Sequence, residues 1–117
     1  MDSYRSLVAW QLAHRISIAT LYGIDDAYHP RSRALLEQLR RAVISIEANI
    51  VEGYALGTPR YFLKHLRIAF GSAAEAEILI QDSEELGYLP SSLVREVLPL
   101  LDECMKTLRG LIRKYSR

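Results

Sequence analysis

A single cysteine, Cys104, stands among the 117 residues. No intramolecular disulfide or cysteine zinc site can be assembled around it. Its neighbours along the chain are Leu101, Met105 and Leu108, so it is expected to behave as a small buried hydrophobe. No run approaches the ~20 apolar residues of a membrane span. No basic-then-apolar leader opens the chain either, and a cytoplasmic protein is the expectation. His14, His29 and His65 share no ligand spacing, and neither an HExxH pair nor a Glu-x-x-His pair occurs. Zincin and di-iron bundle patterns are thereby excluded, and no metal or cofactor is expected. Strand patterning is missing, and with it the strand that a glycine-rich phosphate loop would follow. Charge of one sign is not in excess: 15 Lys and Arg against 14 Asp and Glu leave +1, which names no partner until the charges are placed in space.

What the chain does have is helical period. With 50% apolar and 25% charged residues its composition is ordinary for a globular protein, and its length suits one domain over 1–117. The first helix is predicted over 4–24, with Leu7, Val8, Trp10, Leu12, Ile16, Ile18 and Leu21 covering more than half its circumference. Asp25, Asp26, His29 and Pro30 end it. Ser32 is expected to cap the second helix, 32–56, through its hydroxyl. Gly57 suits a left-handed C-cap, and Thr58-Pro59 reads as N-cap and first residue of the third helix, 59–86, which stops at Gly87. Ser91 or Ser92 starts the fourth helix, 91–116. There Val94, Val97, Leu101, Cys104, Leu108, Leu111 and Tyr115 alternate steps of three and four, the repeat of a coiled-coil seam. Pro99 predicts a kink. Short loops make neighbours antiparallel, so the fold class is all-α, an up-down-up-down four-helix bundle. The apolar faces of the first and fourth helices look wider than a monomer needs, which points to a homo-oligomer.

The second helix carries two stripes. Leu35, Leu39, Val43 (or Ala42), Ile46 and Ile50 follow the period of a buried face, and Gln38, Arg41, Ser45, Asn49 and Glu52 form a polar row beside it. These five are assigned to helix packing, within or between subunits. In the small-sided centre of the third helix, Gly71 is expected to let a neighbouring helix approach closely, since a mid-helix glycine otherwise costs ~1 kcal/mol. Arg41 and Glu75 fall at matching heights on antiparallel helices, which predicts a partly buried ion pair. Ser45, Ser72 and Asn49 lack a nearby histidine base to make a nucleophile, and an enzyme is not expected.

Topology turns the bland net charge into a dipole. One end gathers Arg5, Arg60, Lys64, Arg67, Lys106, Arg109, Arg113, Lys114 and Arg117 against Asp2 and Glu52, about +7. The other gathers Asp25, Asp26, Glu37, Asp82, Glu84, Glu85 and Glu96 against Arg31, Arg33 and Arg95, about −4. Bases at the end of the fourth helix complement its dipole, but the third helix has bases first and acids last, so dipole complementarity does not explain the whole separation. A basic end of this kind suits a polyanion. The candidate nucleic-acid contacts are Arg60, Lys64, Arg67, Arg109, Arg113 and Lys114, touching phosphates without reading sequence. Tyr4, Tyr54 and Tyr61 near that end either stack on unpaired bases or are half-buried bundle residues.

Several fragments, in order, resemble the 23S ribosomal RNA intervening-sequence protein family. They begin with Leu7-Val8-Ala9-Trp10-Gln11, peak at Gln38-Leu39-Arg40-Arg41-Ala42 with Asn49-Ile50 and Glu52-Gly53, and continue through Phe62-Leu63, Gly71-Ser72 and Glu75 to Leu86-Gly87-Tyr88. The chain departs from the family at Glu47, where proline is common, and at Val51, where alanine is common. The resemblance implies a ring-shaped homopentamer without enzymatic activity. It also implies kinship with the accessory variability determinant of diversity-generating retroelements, which binds a reverse transcriptase and uses a basic surface for nucleic acid. The leading expectation is a non-enzymatic oligomeric bundle that binds RNA or DNA through its basic end. Alternatives are an adaptor that docks a reverse transcriptase or another protein on its acidic end, and a passenger of a mobile element with no further role.

Overall fold

The computed structural model describes residues 3–27 and 29–117. Four α-helices account for most of them: α1 (Val8–Asp26), α2 (Arg33–Leu56), α3 (Pro59–Glu85) and α4 (Ser91–Tyr115), with short 3-10 turns at Tyr4–Ser6 and Pro30–Ser32. No strand occurs among the described residues. Contacts across the helices fix their directions. Ser17 meets Val43 and His14 meets Glu47, while Ser45 meets Ser72 and Asn49 meets His65. Phe62 meets Tyr115, and Cys104 meets Ala9. Every adjacent pair therefore runs antiparallel, and α1 and α3 each pack between α2 and α4. The 27 residues of α3 at ~1.5 Å rise span ~40 Å, close to the 44 Å long axis of the molecule.

The helix ends follow local chemistry, with two departures from expectation. Gly57 (φ 76°) closes α2 in the left-handed region, and the Thr58 hydroxyl accepts from Tyr61 N while Pro59 occupies the first position of α3. Chain entry differs: Tyr4–Ser6 is a separate 3-10 turn capped by Ser3, and extended Leu7 divides it from α1. Ser32 does not cap α2 through its hydroxyl. That hydroxyl donates backwards to His29 O at 2.7 Å, and His29 Nδ1 accepts from Arg31 N at 3.1 Å. The capping work thus falls to His29, one turn earlier. At the start of α4 Pro90 is the N-cap and neither serine provides a cap. Exposed Pro99 lies within α4 without breaking it, since the carbonyl it leaves unbonded belongs to exposed Arg95.

The core draws on all four helices: Leu12 and Ile16, then Leu39, Val43, Ile46 and Ile50, then Phe62, Leu66, Ala69, Ala73, Ala76 and Ile80, and finally Val94, Val97, Leu101, Cys104 and Leu108. The α4 seam is buried as far as Leu108, with Leu111 and Tyr115 half-buried beyond it. Small residues of α3 enter the core as alanines, not through Gly71. Gly71 is exposed, and a Cβ built on it would meet nothing within 4 Å. Close approaches occur instead at Gly23, where a Cβ would overlap the Leu93 side chain, and at Gly53, where it would stand 2.7 Å from His65 Cβ. The apolar excess is also placed differently from expectation. Large apolar side chains are exposed on α1 (Val8, Ile18, Tyr22), α2 (Ile44, Leu56) and α3 (Tyr61, Ile68, Ile78), and none on α4.

Two consequences are measurable. Gly53→Ala forces α2 off α3 and should destabilise by ~1–3 kcal/mol, whereas Gly71→Ala adds helix propensity in open space and should stabilise by up to ~1 kcal/mol; urea midpoints of equal sign for the two would contradict the packing. Burial pushes the Cys104 thiol up to about 12 from 9.0, so little thiolate exists in the folded state. A disulfide reagent at mildly alkaline pH should leave the native protein unlabelled and label it fully in denaturant.

Candidate nucleic-acid interface

Antiparallel packing brings the α2–α3 turn beside the end of α4. Tyr54 stands edge-on to Phe62 (6.1 Å, 83°), and Phe62 stands edge-on to Tyr115 (5.1 Å, 74°). This aromatic line holds the first turns of α3 against the last turns of α4. Arg60, Lys64 and Arg67 leave α3 on successive turns, and Arg109, Arg113 and Lys114 leave α4 near its end; all six are exposed. Among the described residues none of the six lies within 4.0 Å of a carboxylate.

The six do not form one patch. Arg67 Nη2 reaches Ser116 Oγ at 3.5 Å, and the Arg109 guanidinium lies over the Phe70 ring at 5.3 Å. These two contacts put Arg67 and Arg109 at the α3–α4 seam, with Arg113 one turn beyond Arg109. Lys114 is one residue further, ~100° around the helix, and its ammonium sits over Tyr115 at 5.6 Å. Of the other cations assigned to this end, Lys106 pairs with Asp102 at 3.1 Å, and Arg5 rests over Tyr4 and Trp10 at 5.3 and 5.4 Å. Asp2 lies outside the described residues. Two helix N-termini (α1, α3) and two C-termini (α2, α4) meet here, so their macrodipoles largely cancel. Side chains alone set the sign of the potential. Tyr4 and Tyr54 are half-buried and Tyr61 is exposed.

At the opposite end Arg40 takes up part of the acidic charge, with Nη2 3.1 Å from Asp25 and Nε 3.7 Å from Glu37. Glu84 and Glu85 are exposed at the end of α3.

The polar stripe of α2 lies mostly in its contact with α3. Ser45 Oγ is 2.8 Å from Ser72 Oγ. Asn49 directs its amide nitrogen to Ser45, 2.9 Å from the carbonyl and 3.1 Å from Oγ, which leaves Asn49 Oδ1 to accept from His65 Nδ1 at 2.9 Å. His65 was not anticipated in this role, although the register that sets Arg41 level with Glu75 also sets Asn49 near His65. A histidine is therefore close to Ser45, contrary to expectation. It is nevertheless screened from both serines, because the Asn49 amide that meets Ser45 is a donor and cannot take its proton.

The expected Arg41–Glu75 ion pair is not formed. Gln38 stands between them, donating from Nε2 to Glu75 Oε2 at 2.6 Å and accepting from Arg41 Nη2 at 3.3 Å. The amide offers both a donor and an acceptor, so it links two charged groups without either being buried against the other. Glu52 is exposed and outside this ladder. Among the described residues no group of three or more metal-ligating side chains occurs, and no helix is long and apolar enough to cross a membrane.

Removing the ladder's central amide leaves the His65 ring nitrogen without its partner in a part-buried seam, while Ser45 keeps Ser72. Asn49→Ala should lower stability by ~1–3 kcal/mol, and Glu52→Ala by no more than ~0.5 kcal/mol, read as shifts in urea midpoint.

No curated protein matches the chain. The family model for the 23S rRNA-intervening sequence protein matches residues 5–110. That span runs from the turn before α1 into the second-last turn of α4 and leaves Arg113 and Lys114 beyond it. With α1, α2, α3 and most of α4 inside the match, the chain belongs to the 23S rRNA-intervening sequence protein family.

Proposed function

We propose that this protein is a non-enzymatic, oligomeric member of its family that binds nucleic acid, RNA or DNA, through the end formed by the α2–α3 turn and the end of α4. The observation that carries this reading is the exposure of Arg60, Lys64, Arg67, Arg109, Arg113 and Lys114 at that end, with no carboxylate within 4.0 Å of any among the described residues. Cations left unpaired at a place where the helix dipoles cancel are suited to phosphates, and their spread over two faces suits an extended strand or a hairpin better than a small anion. The contacts proposed are to the phosphate backbone, as the sequence-independent charge pattern suggests.

Assembly is supported by the apolar groups left at the surface: Tyr22 is 76% exposed, and Val8 and Ile78 are more than half exposed. A homopentamer, as the family resemblance implies, would repeat the basic end around a ring and multiply its charge. The protein is placed in the cytoplasm on this reading. A second reading rests on Glu84 and Glu85, exposed at the acidic end: an adaptor docking a reverse transcriptase or another partner there. It predicts that charge reversal at both positions abolishes capture of the partner while nucleic-acid binding survives.

Replacing Arg60, Arg67 and Arg113 together with glutamine should weaken RNA binding and lower the slope of log affinity against log salt by about 2, at roughly 0.7–0.9 per lost phosphate contact. Affinity and slope unchanged, with helicity and oligomer size retained, would remove these residues from the interface.

A further inference from the structure

The α2–α3 turn and the end of α4 enclose a pocket of about 410 Å³ lined chiefly by Tyr54, Gly57, Pro59, Phe62 and Tyr115. Its volume falls within the ~300–1,000 Å³ of small-molecule sites. Phe62 is almost fully buried and forms the floor. Tyr54 and Tyr115, which also line the pocket, meet it edge-on at 83° and 74°. Gly57, in the left-handed conformation, lines the pocket without a side chain, and a Cβ there would meet only Ala55 O, at 4.0 Å. The charge around the mouth is mainly positive: Arg60 and Lys64 follow Pro59 on α3, and Arg113 and Lys114 precede Tyr115 on α4, against Glu52 on α2.

We infer that this pocket receives an unpaired base of the bound nucleic-acid strand, an inference that rests on the nucleic-acid reading of the basic end. The chemistry of the occupant follows from the two halves of the site. Three aromatic side chains offer ring surface to a π-system, alongside Thr58, which favours stacking with little sequence preference. The cations at the mouth then engage phosphates on either side of the inserted base. An apolar protein side chain would fit the pocket but not the charge around it. A paired base is withheld by its own duplex, so the site distinguishes single strands and frayed or looped ends from blunt duplexes.

The test uses the full chain, a short single-stranded RNA carrying 2-aminopurine, and a blunt RNA duplex with the same number of phosphates. The single strand should bind about tenfold more tightly than the duplex, the effect of one stacked base, and the 2-aminopurine emission should be quenched. Tyr115→Leu should abolish both the preference and the quenching while leaving duplex affinity and its salt slope unchanged. Tyr115→Phe, which keeps the ring, should retain both, and Tyr54→Leu gives a second route if Tyr115→Leu loses helicity. Equal binding of strand and duplex, with steep salt dependence and no effect of Tyr115→Leu, would overturn the pocket but leave the basic interface standing. No binding of either probe at low salt would overturn both.

Discussion

The contact between α2 and α3 is the constraint on which the rest of the molecule depends. Gly53 lets the two backbones close to a distance that a Cβ would forbid, and the ladder from Ser72 through Ser45 and Asn49 to His65 allows one register. An apolar contact slides at small cost, whereas a shift of one turn here would leave several part-buried polar atoms unpaired at once. Register in turn determines function in the proposed account. It fixes where the Gly57-Thr58-Pro59 turn emerges, and so which residues of α3 face the last turns of α4.

Electrostatics adds the second layer. In an antiparallel bundle each end receives two helix N-termini and two C-termini, so backbone dipoles give neither end a strong sign. Asymmetry must come from side chains, and α3 supplies it against its own dipole, with Arg60, Lys64 and Arg67 in its first turns and Glu84 and Glu85 in its last. That order costs α3 a little helical stability. Apart from the long Arg67–Ser116 bond at 3.5 Å, these side chains make no contact that offsets it: they are exposed and without ion-pair partners among the described residues. The proposed binding role would supply a reason.

Much of the fold could be read directly from residues whose meaning is local. Gly57 and Thr58-Pro59 act through their own backbone and hydroxyl, and the α4 seam repeats too regularly to be anything but a buried helical face. Features that depend on a partner were harder. Gly71 looks like a site of close approach from its small neighbours, but helix rotation turns it to solvent, and the property belongs to Gly23 and Gly53 because Leu93 and His65 face them. Arg41 and Glu75 are level, yet Gln38, on the same face and within reach of both, takes the acceptor. His65 carries no local mark of its role, which exists only once Asn49 is opposite. Ser32 closes the 3-10 turn with helical backbone (φ −84°, ψ −11°) rather than the extended conformation of a capping serine, and its hydroxyl turns back to His29 O. The basic residues of the candidate interface were legible as a charge pattern, whereas their division between the α3–α4 seam and the Lys114 face needed the helix rotation.

The most direct measurement is the affinity of the wild-type protein for a fluorescently labelled RNA hairpin, followed by anisotropy across salt concentrations. The account predicts binding at micromolar concentration or tighter at low salt, with log affinity falling linearly and steeply in log salt as phosphate counterions are released. Absence of binding at low salt, or binding indifferent to salt, would contradict it and leave the exposed cations of α3 and α4 without the role assigned to them.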